Sequence, residues 1–516
     1  MRHAILSAYL RSRRGRIERI RHQAVEQQRR ILSYLLKKGS ATAFGKEHGF
    51  SPRMSYEDFS GKVPVRRYED FHPYIERALR GEAAVVWPQR IRYFSKSSGT
   101  TNAQSKYIPI SDESLRGNHF LAAYDLVTAY LCNHPDARMF SGRALRLGGS
   151  LQSTENGMLV GDLSAILMSR TPKWADRCST PDRETSLLAD WNEKLPRMVD
   201  QVIRRDVTSL AGVPSWMLVM LEKVLEVTGA SDLCQVWPHL ELFMHGGIAF
   251  TPYQEIYRRL IPSSRMRYYE VYNASEGFFA FQDTAQSKDM LLMSAHGIFY
   301  EFIPMDQFLK KGQAAAAVPL WEVRMDTPYA MVITTCGGLW RYLIGDTVRF
   351  TSLDPYRLVI TGRTKQFINA FGEEVVVENA EQALDYACGC TGAHIREYTA
   401  APVFMERGSK GAHEWIVEFD TPPDDRERFV EALDSRLQAI NSDYRAKRYS
   451  DITLRRPVLT VAPEGLFYRW MALRGKMGGQ NKVPRLENSR LYADALRELM
   501  DGMKKDGSVG ETRFPK

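Results

Sequence analysis

Long apolar runs are missing from this sequence. None approaches the roughly 18 uninterrupted residues that a membrane-crossing helix needs, so no segment qualifies as a span. Cysteine is scarce as well. Six residues, Cys132, Cys178, Cys234, Cys336, Cys388 and Cys390, are spread over 516 positions, and only the last two lie close together. Without a second close pair there is no four-ligand zinc set, and reduced thiols in a cytoplasmic protein are expected. The early stretch "AILSAYL" is short and no small-residue cleavage site follows it, so it does not read as a secretory signal. Glycine is scarce where it would matter most. In "YFSKSSGTTNAQSKYIPIS", residues 93–111, Gly99 stands alone among hydroxyls. A Walker-type loop needs two spaced glycines and a Lys-Ser/Thr ending to wrap a triphosphate with backbone N–H groups, so that loop type is excluded.

Net charge is absent from most of the chain. The formal +9 sits within residues 1–38, where eleven Lys/Arg face two Glu, and the remainder holds 59 basic and 59 acidic residues. A chain-wide nucleic-acid surface is therefore not indicated. The basic segment offers only Tyr9 and Tyr34 as stacking platforms, too few for single-strand binding. Its apolar residues Leu10, Ile17, Ile20, Ala24, Ile31, Leu32 and Leu35 fall near helical spacing, which predicts an N-terminal helix packed on the body with a solvated basic face.

What is present is an ordinary globular composition, 44% hydrophobic and 25% charged, in a chain too long for one core. "DESLRGNHFLAAYDLVTAYL", residues 112–131, has helical periodicity with Asp112 as its cap. "HLELFMHGGIAF" reads as a strand ending at Gly246-Gly247, "TPYQEIYRRLI" as a helix with Pro252 in its first turn, and "RMRYYEVYNASEGFFAF" as a strand stopped by a polar turn. Strand, helix and strand in succession predict parallel α/β organisation. After residue 290 the pattern becomes strand upon strand up to Arg363, and a second, smaller α+β unit follows. The domains are expected to be 1–363 and 364–516.

Four motifs carry chemistry. Ser97, Ser98, Thr100 and Thr101, with Gly99 between them, supply donors for phosphate oxygens, and Lys106 adds a point charge. "VYNASEG" places Tyr272, Asn273, Ser275 and Glu276 at a strand end, with an aromatic face for adenine and a hard oxygen ligand for Mg²⁺. "YLIGDTVRF" offers Asp346 to ribose hydroxyls. "TGRTKQFINAFGEEVVVENAEQAL" runs from Arg363 through a polar pair and an apolar strand to a helix. Each motif read singly has an ordinary structural explanation, a turn or a strand end. Their order along the chain is more informative.

In that order they resemble the adenylate-forming superfamily of acyl-CoA ligases, luciferases and adenylation domains. The resemblance is closer to the Gretchen Hagen family of auxin-responsive acyl acid amido synthetases, whose signatures look like "SSGTTNAQSK", "YNASEG" and "YLIGD". It covers essentially the whole chain, and "VPV", "YEDFHPYIERALRGE" and "VWP" are typical of bacterial members. It implies a large N-terminal adenylate-forming domain, with α/β subdomains and a β-rich one, and a mobile C-terminal domain. ATP and Mg²⁺ would convert a small aryl or indolyl carboxylic acid to its adenylate, and an amino acid would displace AMP. Transfer to coenzyme A by the same first step is the alternative. The implied catalytic lysine is Lys482, which precedes Val-Pro-Arg, or Lys476, in a Gly-Lys context. Gly246, Gly247 and Tyr272 would frame adenine, Asp346 and Arg363 the ribose, and Glu276 the metal. Arg116, His119, Tyr124 and His245 are candidate acid contacts. A monomer is expected, a dimer being the alternative, with no nucleic acid partner.

Overall fold

The computed structural model describes residues 2–97, 106–154, 157–247, 250, 253–284, 287–364, 367–368, 373, 375–404, 411–448, 454–475, 482–487 and 489–505. They divide into two compact units, one made mainly of residues up to Ile360 and one mainly of residues from Thr361 onward.

The strands of the first unit are, in chain order, β1 (Tyr93–Ser97), β2 (Lys106–Ile110), β3 (Arg143–Arg146), β4 (Leu151–Ser153), β5 (Leu159–Gly161), β6 (Ser179–Thr180), β7 (Val207–Gly212), β8 (Leu242–Gly246), β9 (Arg267–Ala274), β10 (Gly277–Phe281), β11 (Met290–Leu292), β12 (Ile298–Pro304), β13 (Val318–Pro319), β14 (Pro328–Thr335), β15 (Tyr342–Leu353) and β16 (Tyr356–Arg363). Among the described residues twelve of them form one sheet in the order β13-β12-β14-β15-β16-β11-β10-β9-β8-β7-β3-β6. From β9 to β6 every neighbour is parallel. On the other side of β9, the pairs β9–β10, β10–β11, β11–β16, β15–β14, β14–β12 and β12–β13 are antiparallel. The strands that follow residue 290 thus continue the same sheet, whose change of direction already falls at the β9–β10 turn. A smaller sheet, β2-β1-β5-β4, holds the strands on either side of the hydroxyl-rich loop.

The basic N-terminus forms three helices, α1 (Arg2–Ser12), α2 (Arg14–His22) and α3 (Ala24–Gly39), interrupted at Arg13 and Gln23. All seven apolar positions noted above are buried. The solvated basic face needs correction, because much of it is tied to the body. Arg13 and Arg16 each reach the buried carboxylate of Asp125 at 2.8 Å, and Arg21 pairs with buried Asp283 at 2.6 Å. Burial opposes ionisation of Asp125, yet hydrogen bonds from His296, Arg13 and Arg16 hold its carboxyl below the ordinary value.

A second correction concerns the helix after the loop. Its cap is Ser111, whose Oγ accepts from the Ser114 N–H at 2.9 Å, and not Asp112. The helix is also not uniform, since Leu115–Phe120 form a π-helical turn before the α-helix Leu121–Asn133 resumes. Such turns occur often at functional sites.

The second unit contains the short pair β17 (Phe367–Ile368) and β18 (Val375–Val376), and the sheet β19 (His394–Val403), β20 (Ala412–Thr421) and β21 (Val458–Ala462). Helices Val377–Thr391 and Arg426–Ile440 cover it through Leu384, Phe429 and Leu433, which pack with Trp415 and Val417. Asp425 caps the latter helix by accepting from the N–H groups of Glu427 and Arg428.

Candidate active site

The site is built where the large sheet changes direction. β9 and β10 form a hairpin whose two-residue turn is Ser275-Glu276, so Glu276 stands half-buried at the tip, with Asn273 next to last on β9. The single strand expected across "RMRYYEVYNASEGFFAF" is this hairpin. From β9 the phenol of Tyr272 donates to Asp346 Oδ2 at 2.8 Å, and both side chains are buried. In strand order β9 and β15 are four places apart, about 19 Å in a flat sheet at the usual spacing. The hydrogen bond therefore requires the sheet to curl. Register shifts within β9–β10 and β14–β15 supply bends of the kind bulges produce. Gly345, at φ +91°, lies in the second shift and turns Asp346 inward, so the expected Gly-Asp turn is a bulge inside a long strand.

The loop strands are tied to the same place. Ser95 on β1 donates through Oγ to Ser275 Oγ at 2.8 Å, both side chains being buried. Ser97 and Lys106 are register partners at the ends of β1 and β2. Ser98, Gly99, Thr100 and Thr101 fall outside the described residues, as do Lys476 and the polar pair Lys365-Gln366. The Lys106 ammonium stands over the Tyr68 ring, 5.6 Å from its centroid.

Gly246 ends β8 against the Val271 carbonyl, where a side chain has no room, and Gly247 follows at φ +87°. Both positions therefore demand glycine. His245 is buried and stacks on Phe250 with ring centroids 4.0 Å apart. Burial pushes its pKa down to about 3 and that of buried His119 down to about 4, so both rings are neutral. Neither Nδ1 has a hydrogen-bond partner among the described residues. Glu270, the register partner of His245, is pushed up to about 7 by burial alone. Strand alternation puts His245, Glu270 and Tyr272 on one face of the sheet and Met244 and Val271 on the other. Tyr124 belongs to the second face, packed on the cluster that holds Leu10, Ile17 and Ile20, beneath the Arg13 guanidinium. Arg116 is exposed on the π-helical turn.

In the second unit Lys482 is exposed at the head of a firmly held segment. The Pro484 carbonyl accepts from Thr399 Oγ1 at 2.6 Å, and the Arg485 guanidinium lies 4.7 Å from the Tyr398 ring centroid while pairing with Glu397. Arg363 is the exposed last residue of β16.

Three residues escaped the sequence reading. Ser95 could have been suspected as a hydroxyl in an otherwise apolar strand start, and Glu270 as a carboxylate within "YYEVY". Asn118 carried no such signal. Its amide donates to the carbonyls of Phe278 and His296 at 3.1 and 2.9 Å and accepts from the Phe278 N–H at 2.7 Å, clamping the π-helical turn to β10.

The fold is that of the adenylate-forming enzymes. It is similar to that of 2-hydroxyisobutyryl-CoA ligase in complex with 2-HIB-AMP, with a TM-score of 0.59 and 16% identity over 94% of each chain. Similarity is greater to AtGH3.15 acyl acid amido synthetase in complex with 2,4-DB, with a TM-score of 0.79 and 17% identity over 95% of each chain. Residues 13–266, 291–363 and 378–491 match the GH3 family N-terminal, central and C-terminal domains respectively, and the chain belongs to the GH3 family. Among curated relatives, indole-3-acetic acid-amido synthetase GH3.8 of Oryza sativa subsp. indica is 23% identical over 544 residues, covering 89% of this chain and 87% of its own length.

Proposed function

We propose that this chain is an ATP-dependent acyl acid amido synthetase that activates a small aryl or indolyl carboxylic acid and joins it to an amino acid. The observation that carries the reading is the meeting of Tyr272, Asp346 and the Glu276 hairpin where the sheet changes direction, within a chain matched along its length by GH3 family domains. A carboxylate is a poor electrophile. In the first step its oxygen attacks the α-phosphorus of ATP, and the bond to pyrophosphate breaks. In the second an amine attacks the acyl carbon, AMP leaves with the bonding electrons, and the amine loses a proton. Positioning and charge neutralisation dominate such chemistry.

The chain's own groups divide this work. Tyr272 presents an aromatic face toward the base and orients Asp346, whose carboxylate addresses the ribose together with Arg363. Ser95 and Ser275 fix the root of the 97–101 loop, which with Lys106 receives the departing phosphates. Lys482 is the group assigned to the reacting oxygens. Glu276 suits magnesium. That ion keeps several waters and takes one or two carboxylates along with substrate phosphates, and among the described residues no cluster of three His, Cys, Asp or Glu forms a cage of protein groups alone. When bound, it would neutralise phosphate charge. The buried neutral His119 and His245 suit an acid whose ring, and not its charge, lies against them.

Acid-dependent ATP/pyrophosphate exchange across aryl, indolyl and alkyl acids tests the adenylation step, and Glu276→Ala should reduce it by about a thousandfold. No exchange with any acid overturns the reading. Product masses with an amino acid or coenzyme A identify the acceptor, and formation of thioester alone would remove the amido synthetase assignment.

A further inference from the structure

At the β6 edge of the large sheet, four strands from β9, lies a cavity of about 540 Å³ walled largely by arginine. Arg143, Arg146, Arg177, Arg183, Arg204 and Arg205 line it, against only Asp176, Asp182 and Asp200. The aspartates are already committed. Asp200 pairs with Arg204 one helical turn away. Asp182 accepts from the Thr185 N–H at 2.8 Å and the Gln201 amide at 2.7 Å. Asp176 is shared by Arg146, at 3.4 Å, and Arg183. Among the described residues Arg143, Arg177 and Arg205 have no ion-pair partner, and the Nε–H groups of Arg146 and Arg183 are buried without an acceptor. Burial lowers the Arg146 pKa and adjacent Arg183 adds to the effect, although Asp176 opposes it. Positive charge is thus concentrated where the protein does not neutralise it, and buried donors without acceptors are rare in folded chains.

The volume falls within the range of about 300–1,000 Å³ typical of small-molecule sites, which sets the size of the occupant. Only Met168 and Pro181 contribute wholly apolar side chains, so the wall is unsuited to an aryl acid. Guanidinium groups match phosphate oxygens in bidentate fashion. We propose that this edge cavity is a second ligand site, separate from the Tyr272–Asp346 cluster, that binds a small phosphate-bearing anion.

The test uses the full chain at fixed ionic strength, with inorganic phosphate and glycerol 3-phosphate as probes and citrate as the carboxylate comparator. Calorimetry should show saturable phosphate-ester binding below about 10 mM. The Arg143→Ser/Arg205→Ser double variant should weaken it by about tenfold or more while keeping the ligand-free melting temperature and the rate of acid-dependent exchange. Glu276→Ala should leave the binding intact, which separates this site from phosphate bound during adenylation. Absence of saturable binding, undiminished binding in the double variant, or loss only in Glu276→Ala would overturn the proposal. Citrate binding at least as tightly as glycerol 3-phosphate would overturn the phosphate assignment.

Discussion

The two halves of the large sheet treat buried charge in opposite ways. In the antiparallel half, charge is buried in matched pairs. Arg341 meets Glu301 at 2.8 Å, Arg357 meets Asp283 at 2.5 Å, and Asp346 accepts from Tyr272. In the parallel half His245 and Glu270 are neighbours in register. Burial pushes the His245 pKa down to about 3 and the Glu270 pKa up to about 7, so just below pH 7 the neutral form of each prevails. Paired charges fix geometry at a high penalty for removing one partner. Buried titratable groups without such partners leave polar capacity that a ligand can use, a pattern common at functional sites. The antiparallel half is therefore the frame that holds Asp346, and the parallel half supplies the receiving face.

Breaking a pair in the frame should have the largest effect. Arg341 sits at φ +46°, gives its Nη1 to the carbonyls of Ser60 and Val63, and neutralises Glu301, which also accepts from Tyr56. Arg341→Ala strands a buried carboxylate and should cost about 3–5 kcal/mol, read from denaturant unfolding of the first unit. His245→Phe keeps the stacked ring against Phe250 and removes only a neutral nitrogen, so it should change stability by about 1 kcal/mol or less. Equal costs for the two variants would mean that the halves do not differ in kind.

Tyr272→Phe tests the link between the halves. The substitution keeps the ring in its core position and removes the donor to Asp346 Oδ2, a loss of about 1–3 kcal/mol. In exchange assays the apparent KM for ATP should rise about tenfold, because Asp346 loses its orientation, while the dependence on the acid is kept. An unchanged KM with a lowered melting temperature would make the pair purely structural.

Much of this layout was legible in the chain. The successive strands expected after residue 290 are antiparallel members of the sheet, although the change in direction itself falls earlier, at the Ser275-Glu276 turn inside a stretch that reads as one strand. Tyr272 and Asp346 stand out in the sequence although 74 positions separate them. What escaped depends on three dimensions. The curl that joins Tyr272 to Asp346 arises from register shifts, which leave only Gly345 as a local signal. The breaks at Arg13 and Gln23 occur in an uninterrupted helical pattern, and the partners of Arg13, Arg16 and Arg21, Asp125 and Asp283, come from distant parts of the chain. Ser111 displaced Asp112 as cap by one position, a distinction that composition cannot make when both residue types cap well.

The smallest effect isolates Glu270. An unfolded chain protonates His119 and His245 below about pH 6.5, whereas the folded protein keeps them neutral until about 4 and 3. Stability is therefore lost as pH falls below 6.5, at about 1.4 kcal/mol per pH unit for each histidine. Glu270 works in the other direction. The folded protein holds its proton until about 7 and the unfolded chain loses it near 4.5, so stability is lost as pH rises through that window. From 4.5 to 6.5 two histidines oppose one glutamate, and these three groups together leave a rise of about 1.4 kcal/mol per pH unit. Glu270→Gln removes the opposing member and should steepen the rise to about 2.7 kcal/mol per pH unit across the same window. Denaturant unfolding of the first unit at pH 5 and 6 measures the difference between variant and parent, from which other titrating groups cancel. Identical slopes would show that the Glu270 carboxyl ionises normally, and the receiving face would then hold neutral histidines alone.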